Sequence, residues 1–144
     1  QGDIIGIDLQ IPKHLEKATK NKSNIKFLIG DSVLSAPTVS KFVGDRSCMV
    51  IVDSMHTHAH VMAELNAYSP LVSSGCYMVV CDTLVDAPRY HEGDGVRNRP
   101  WGPGNSPRSA LNQFLDENSG FSRDENIRNK LLFSCQPDGY IYKK

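Results

Sequence analysis

Two apolar runs, CMVIVD (48–53) and CYMVVCD (76–82), each end in an acid and bracket one amphipathic stretch. Between them Val61, Met62, Leu65, Tyr68 and Leu71 keep the i, i+3, i+4 spacing of a helix with one apolar face, predicted over Ala59 to Leu71, and Ser73, Ser74 and Gly75 supply the turn back. Cys76 to Cys81 is apolar on both faces, as a central strand covered on both sides must be. The pattern is strand, helix, strand, with the two strands parallel. Ligands of open α/β sheets collect at the carboxyl ends of parallel strands. Asp53 and Asp82 are therefore expected to meet at one crevice, with His56 within a turn of it.

The flanking sequence repeats the alternation. Asp3 to Leu9 is a β-branched run ending at Asp8, followed by Pro12 and a helical stretch carrying Leu15 and Ala18. Ile25 to Ser32 predicts a second strand that stops at Gly30, and Pro37 to Val43 a short helix. From Thr83 to Ser106 glycines, prolines and charges predict a long loop leaving the strand of Asp82, a length that marks lids and binding loops. Pro107 to Glu117 reads as a helix with Pro in its first turn and Ala110, Leu111, Phe114 and Leu115 on its apolar face. The tail predicts a strand pair, Phe121 to Ile127 and then LLFSCQ, with Pro137, Asp138 and Gly139 turning into Tyr140 to Tyr142. The expected fold is an α/β doubly wound, mostly parallel sheet closed by an antiparallel C-terminal strand.

The 144 residues suit a single domain, 1–144. Sixteen basic and sixteen acidic residues cancel without a basic stripe, so no nucleic-acid footprint is present and the expected ligand is a small molecule. Cys48, Cys76, Cys81 and Cys135 lie in or beside apolar runs without CxxC spacing, which favours reduced thiols over a disulfide framework or a zinc site. No apolar run approaches the roughly 18 residues of a membrane span. A cytoplasmic protein without membrane partners is expected.

Several residues carry alternative readings. Asp8 suits a hydrogen bond to a ribose diol, or a surface helix cap before Pro12. Gly30, Asp31 and Ser32 end the next strand, where Asp31 suits an adenine amino group or ordinary turn chemistry. Asp53 and Asp82 suit a hard cation such as Mg²⁺, or caps of the helices that follow. His56 is the candidate general base, whereas His58 and His60 read as structural histidines; on a helix from His58, His56 and His60 share a face that His58 leaves. His91, Arg97, Arg99 and Trp101 on the long loop suit substrate contact or plain solvation.

The segment IVDSMHTHAHVMAELNAYSPLVSSGCYMVVCDT, the opening GDIIGIDLQIPKH, and the stretches WGPGNSPRSALNQFL and NKLLFSCQPDGYI together resemble the cephalosporin hydroxylase, or rhamnosyl O-methyltransferase, family. D-S-x-H-x-x-x-H-V-x-x-E-L is its most specific part. The resemblance implies a Rossmann-like S-adenosylmethionine-dependent methyltransferase fold and methyl transfer to a hydroxyl of a sugar or natural-product acceptor. It implies S-adenosylmethionine and Mg²⁺ as cofactors, Asp8 on the ribose, and Asp31 with Ser32 at the adenine. It also implies Asp53 and Asp82 as metal ligands and His56 as the catalytic base. The family pattern has a glutamate where this chain has Cys81, so two of three acidic ligands are matched.

The first strand and glycine-rich turn of such methyltransferases have no counterpart here, and the chain opens on Gln1 directly before a strand. A fragment lacking the first strand-helix unit is therefore expected. The strands ending at Asp8 and Asp53 would then either pair directly or have their gap filled by a neighbouring chain, making a homo-oligomer. Whether such a fragment is active stays open. Two further readings are a non-catalytic methyltransferase-like binding or oligomerisation module, and a metal-dependent hydrolase, since VDSMHTHAH also resembles the strand-end D-x-H-x-H of such enzymes.

Overall fold

The computed structural model describes residues 2–88, 98–131 and 133–144. The chain divides into two compact units, Gln1–Gly44 and Asp45–Lys144.

The first unit runs β1 (Ile4–Asp8), α1 (Lys13–Thr19), β2 (Ile25–Ile29) and α2 (Ser32–Val43). β1 and β2 pair in parallel from Ile4 opposite Ile25 to Asp8 opposite Ile29. Gly6 faces Phe27 in that register, and a Cβ at position 6 would come within 2.9 Å of the Phe27 ring. The α2 helix starts five residues before the predicted Pro37, because the Asp31 side chain accepts from the Leu34 amide and caps it. Pro37 lies inside the helix, at the loss of one backbone donor. Ala36 and Val39 are buried from this helix, with Ile11.

The second unit holds β3 (Val50–Val52), α3 (His58–Tyr68), β4 (Tyr77–Val80), α4 (Pro107–Glu117), β5 (Phe121–Arg123), α5 (Glu125–Lys130) and β6 (Tyr140–Lys143). Its sheet has the order β3-β4-β6-β5. β3 and β4 are parallel, Val52 opposite Val80, and β6 is antiparallel to both β4 and β5. The parallel α/β pattern with an antiparallel C-terminal strand is thus as expected. Its hydrogen bonding, however, falls into a two-stranded and a four-stranded sheet among the described residues. β1 bonds to β2 in the first unit and β3 to β4 in the second.

β4 is the central strand that its double apolar face predicts, with Met78, Val79 and Val80 all buried. α3 ends where Pro70, lacking an amide hydrogen, turns the chain into a 3-10 turn at Ser69–Leu71. α3 packs on α4, and Val61, Leu65, Ala110, Leu111 and Phe114 are buried. α4 spans the predicted residues and is opened by a reciprocal pair, Ser106 with Ser109, together with Pro107 in the first turn.

The predicted tail needs correction. The strand from Phe121 stops at Arg123 because Asp124 accepts from the amides of Asn126 and Ile127 and starts α5. LLFSCQ forms no strand among its described residues; β5 and β4 are the partners of β6 instead. The Pro137-Asp138-Gly139 turn stands. Gly139 is required there, since an added Cβ would lie 2.2 Å from the Val80 carbonyl oxygen. The long loop is partly regular, with a 3-10 turn at Thr83–Asp86 and a small bridge between Gly102 and Asn105. No described helix is long and apolar enough to cross a membrane.

Phe114 is fully buried and meets Phe121 edge to face at 5.4 Å between centroids. Phe114→Ala is expected to cost about 3–5 kcal/mol in urea unfolding. The Tyr77 hydroxyl donates to Asp124, tying β4 to the start of α5. That hydrogen bond holds the Asp124 carboxyl below its ordinary range and pushes Tyr77 up. A carboxylate depressed in the folded state stabilises above its unfolded pKa, and the gain is lost as pH falls through the lower, folded value. Acid unfolding followed by circular dichroism should therefore show a shallower loss in Asp124→Asn, from a lower starting stability.

Candidate functional site

The site grows from the register of β3 and β4. The Cys81 amide donates to the Val52 carbonyl at 2.9 Å, carrying the parallel pairing one residue past the end of β4. Asp53 and Asp82 therefore leave the sheet side by side. Neither caps a helix: Thr57 occupies the cap position of α3, and Asp82, which precedes the 3-10 turn, makes no side-chain cap bond. Asp82 adopts the left-handed conformation, φ 52° and ψ 31°, at a typical cost of about 1–2 kcal/mol for a residue with a side chain.

His56 lies in the turn between β3 and α3. Its Nε2 is 3.1 Å from Asp82 Oδ2, and donor atoms of Asp53, His56 and Asp82 all lie within 4.8 Å of one another. The imidazole is mostly buried, its side chain 14% exposed, while Asp53 is exposed and Asp82 partly so. Trp101 packs edge to face against the imidazole, with centroids 5.1 Å apart, and Arg99 sits over the indole at 5.2 Å. Both loop residues thus lie beside the cluster, and His91 and Arg97 fall outside the described residues.

Cys81 adjoins the cluster as a neutral thiol. Burial, then the Asp53 and Asp82 carboxylates and Cys135, pushes its pKa up to about 11. Sulfur is also a soft ligand, which suits Mg²⁺ poorly. The donor set is two carboxylates and an imidazole. Mg²⁺ takes one or two protein carboxylates and keeps several waters, so Asp53 and Asp82 fit it, whereas imidazole nitrogen suits softer metals.

The other two histidines of the HTHAH stretch have structural work. The His58 amide donates to Asn105 Oδ1, its Nε2 donates to Gln113 Oε1 at 3.0 Å, and its Nδ1 lies 2.8 Å from Ser109 Oγ. His58 is thereby spent on α4. Among the described residues the metal-suited group is Asp53, His56 and Asp82, without His58. His60 Nε2 lies 3.5 Å from Glu64 Oε1, one helical turn on.

Glu64 is the residue that reading the sequence passed over. It is 3% exposed on α3 and accepts from Ser54 Oγ at 2.7 Å, binding the segment right after Asp53 to the helix. The signal was present in D-S-x-H-x-x-x-H-V-x-x-E-L, whose serine, second histidine and glutamate are these three residues. A glutamate amid apolar helix positions asks for such partners.

The cofactor candidates belong to the first unit. Asp8 Oδ1 accepts from the Gln10 amide, a local turn contact rather than the expected alternative of a helix cap, since α1 has Pro12 at its cap position and no side-chain cap bond, and Asp31 Oδ1 caps α2. Ser32 is the first residue of that helix.

The model of the rhamnosyl O-methyltransferase/CmcI family matches residues 1–144. The chain belongs to that family. A rhamnosyl O-methyltransferase of Mycobacterium tuberculosis (strain ATCC 25618 / H37Rv) is 31% identical over 94 residues, 65% of this chain and 35% of the relative, and one of Mycobacterium bovis gives the same figures. The chain thus spans about a third of the length of these family members. Among solved structures, the MycE methyltransferase of the mycinamycin biosynthetic pathway, in complex with Mg, SAH and mycinamycin VI, superposes with TM-score 0.54 at 23% identity. That match covers 80% of this chain and 30% of MycE. A Corynebacterium glutamicum protein superposes with TM-score 0.60 at 17% identity over 99% of this chain and 60% of its own. Both likenesses establish the α/β fold.

Removing the Glu64 carboxylate takes away the acceptor of the Ser54 hydroxyl. Glu64→Ala is expected to lower unfolding stability by about 1–3 kcal/mol, read from urea titration.

Proposed function

We propose that this chain is part of a methyltransferase-like domain that moves a methyl group from S-adenosylmethionine to a hydroxyl of a small sugar or natural-product acceptor. The observation that carries the reading is the meeting of Asp53, His56 and Asp82 within 4.8 Å at the exits of two parallel strands. Membership of the family supports it. The relatives named rhamnosyl O-methyltransferase and the Mg and SAH of the MycE complex point to the same chemistry.

The roles follow from atoms. Asp82 Oδ2 accepts from His56 Nε2, so the neutral imidazole carries its proton there and leaves Nδ1 as the basic nitrogen. Nδ1 takes the acceptor's hydroxyl proton while the oxygen forms its bond to the methyl carbon and the carbon–sulfur bond breaks. Asp53 and the second oxygen of Asp82 would hold Mg²⁺. A bound divalent cation supplies a Lewis acid that lowers the hydroxyl pKa. Transfer from a sulfonium asks little more of the protein than in-line positioning and exclusion of water, and the low exposure of His56 serves the second need. Asp8, Asp31 and Ser32 are assigned to the cofactor; Asp31 keeps Oδ2 for that purpose while Oδ1 caps α2.

A non-catalytic methyltransferase-like module is the second reading, favoured by Cys81, whose soft sulfur stands where the family pattern has a hard carboxylate. Calorimetry with S-adenosylhomocysteine, and turnover with S-adenosylmethionine and a phenyl rhamnoside, separate the two. Binding heat and chelator-sensitive turnover restored by Mg²⁺ are expected, with His56→Gln lowering kcat by about 10²–10⁴-fold. No heat at millimolar ligand would sink the cofactor assignment.

A further inference from the structure

A base held by one hydrogen bond is not yet oriented. The Asp82 contact pins His56 Nε2 but leaves the ring free to tilt about that bond, and a general base must present its other nitrogen along one direction. A second contact has to define the plane of the ring. Among the described residues the indole of Trp101 makes it, nearly perpendicular to the imidazole at 79° with centroids 5.1 Å apart. This is a favoured aromatic arrangement.

Trp101 is itself held on a braced segment. Directly after it the backbone bridge of Gly102 and Asn105 closes a tight loop, and Asn105 Nδ2 donates to the Pro100 carbonyl just before it. The loop is then tied to both sides of the site. Asp86, four residues past Asp82, accepts from the Gly104 amide and the Ser106 hydroxyl. Asn105 Oδ1 accepts from the amide of His58, two residues past His56. The indole is thus referenced to the two backbone segments that carry Asp82 and His56.

We propose that Trp101 is a positioning residue for His56, fixing the imidazole plane so that Nδ1 keeps one direction while Asp82 holds Nε2. This deepens, and rests on, the assignment of His56 as the base. Trp101 acts through the ring it packs against. Its aromatic edge, rather than mere bulk, is what the geometry requires.

Long-range ¹H–¹⁵N spectra of the full chain read the His56 ring without substrate. The wild type is expected to show one Nε2–H tautomer with narrow lines and a nuclear Overhauser contact between the indole and the imidazole. Trp101→Leu should broaden and average the His56 ring signals while far-ultraviolet circular dichroism stays unchanged, and Trp101→Phe should restore them. Unaltered ring signals in a folded Trp101→Leu overturn the proposal, and if that variant does not fold, absence of the contact in the wild type does so. With S-adenosylmethionine and a phenyl rhamnoside, kcat of Trp101→Leu should fall about tenfold to a hundredfold, as small misplacements of reacting groups do. The KM for S-adenosylmethionine should stay within about twofold, a split that a general loss of structure does not give. Equal kcat would overturn the proposal as well. A wild-type chain without turnover defeats the base assignment alone, and the ring spectra then decide the positioning claim by themselves.

Discussion

The hydrogen bond from the Cys81 amide to the Val52 carbonyl sets the rest of the site. It keeps β3 and β4 in parallel register to their last residues, so that Asp53 and Asp82, 29 positions apart by number, leave the sheet as neighbours. A slip of one residue would turn every side chain of a strand to its other face. On β3, where Val52 is buried and Ile51 is exposed, burial opposes such a slip. Packing of an apolar core thereby fixes the separation of two carboxylates that belong to no core.

Around that pair the structure spends polar contacts to hold the connecting segments. Glu64 reaches back through Ser54 to the residue after Asp53, Asp86 grips the segment before α4, and His58 bridges α3 to α4. The Glu64–Ser54, Asp86–Ser106 and His58–Ser109 bonds are partly withdrawn from solvent, where such bonds are costly to leave half made. Functional groups on loops need supports of this kind. The three histidines of the HTHAH stretch divide accordingly, His56 to the acids and His58 and His60 to the framework.

Elements with strong local signals were legible from the residues. α4 was announced by Pro107 and a four-residue apolar face, the strands around position 50 and position 78 by uninterrupted apolar runs, and the final turn by Pro137-Asp138-Gly139. Where local signals competed, the reading failed. Pro37 reads as a helix start, yet Asp31, six residues earlier, caps the helix. Phe121 to Ile127 had strand composition, yet Asp124 found two amides to cap and turned the chain into α5. In both places one side-chain oxygen outweighed propensity, because capping satisfies helix-end amides that are otherwise without partners.

Residue identity and periodicity alone were enough to specify a parallel strand–helix–strand unit with Asp53, His56 and Asp82 at its exits, since alternation and apolar runs are local properties of the chain. The left-handed turn at Asp82, the use of His58 on Gln113 and Ser109, and the seat of Trp101 against His56 were decided only on folding. These depend on groups distant in sequence, whose meeting follows from how α3, α4 and the loop before α4 close on one another. No pattern along the chain encodes that closure, because it is the sum of many packing contacts rather than the preference of any one segment.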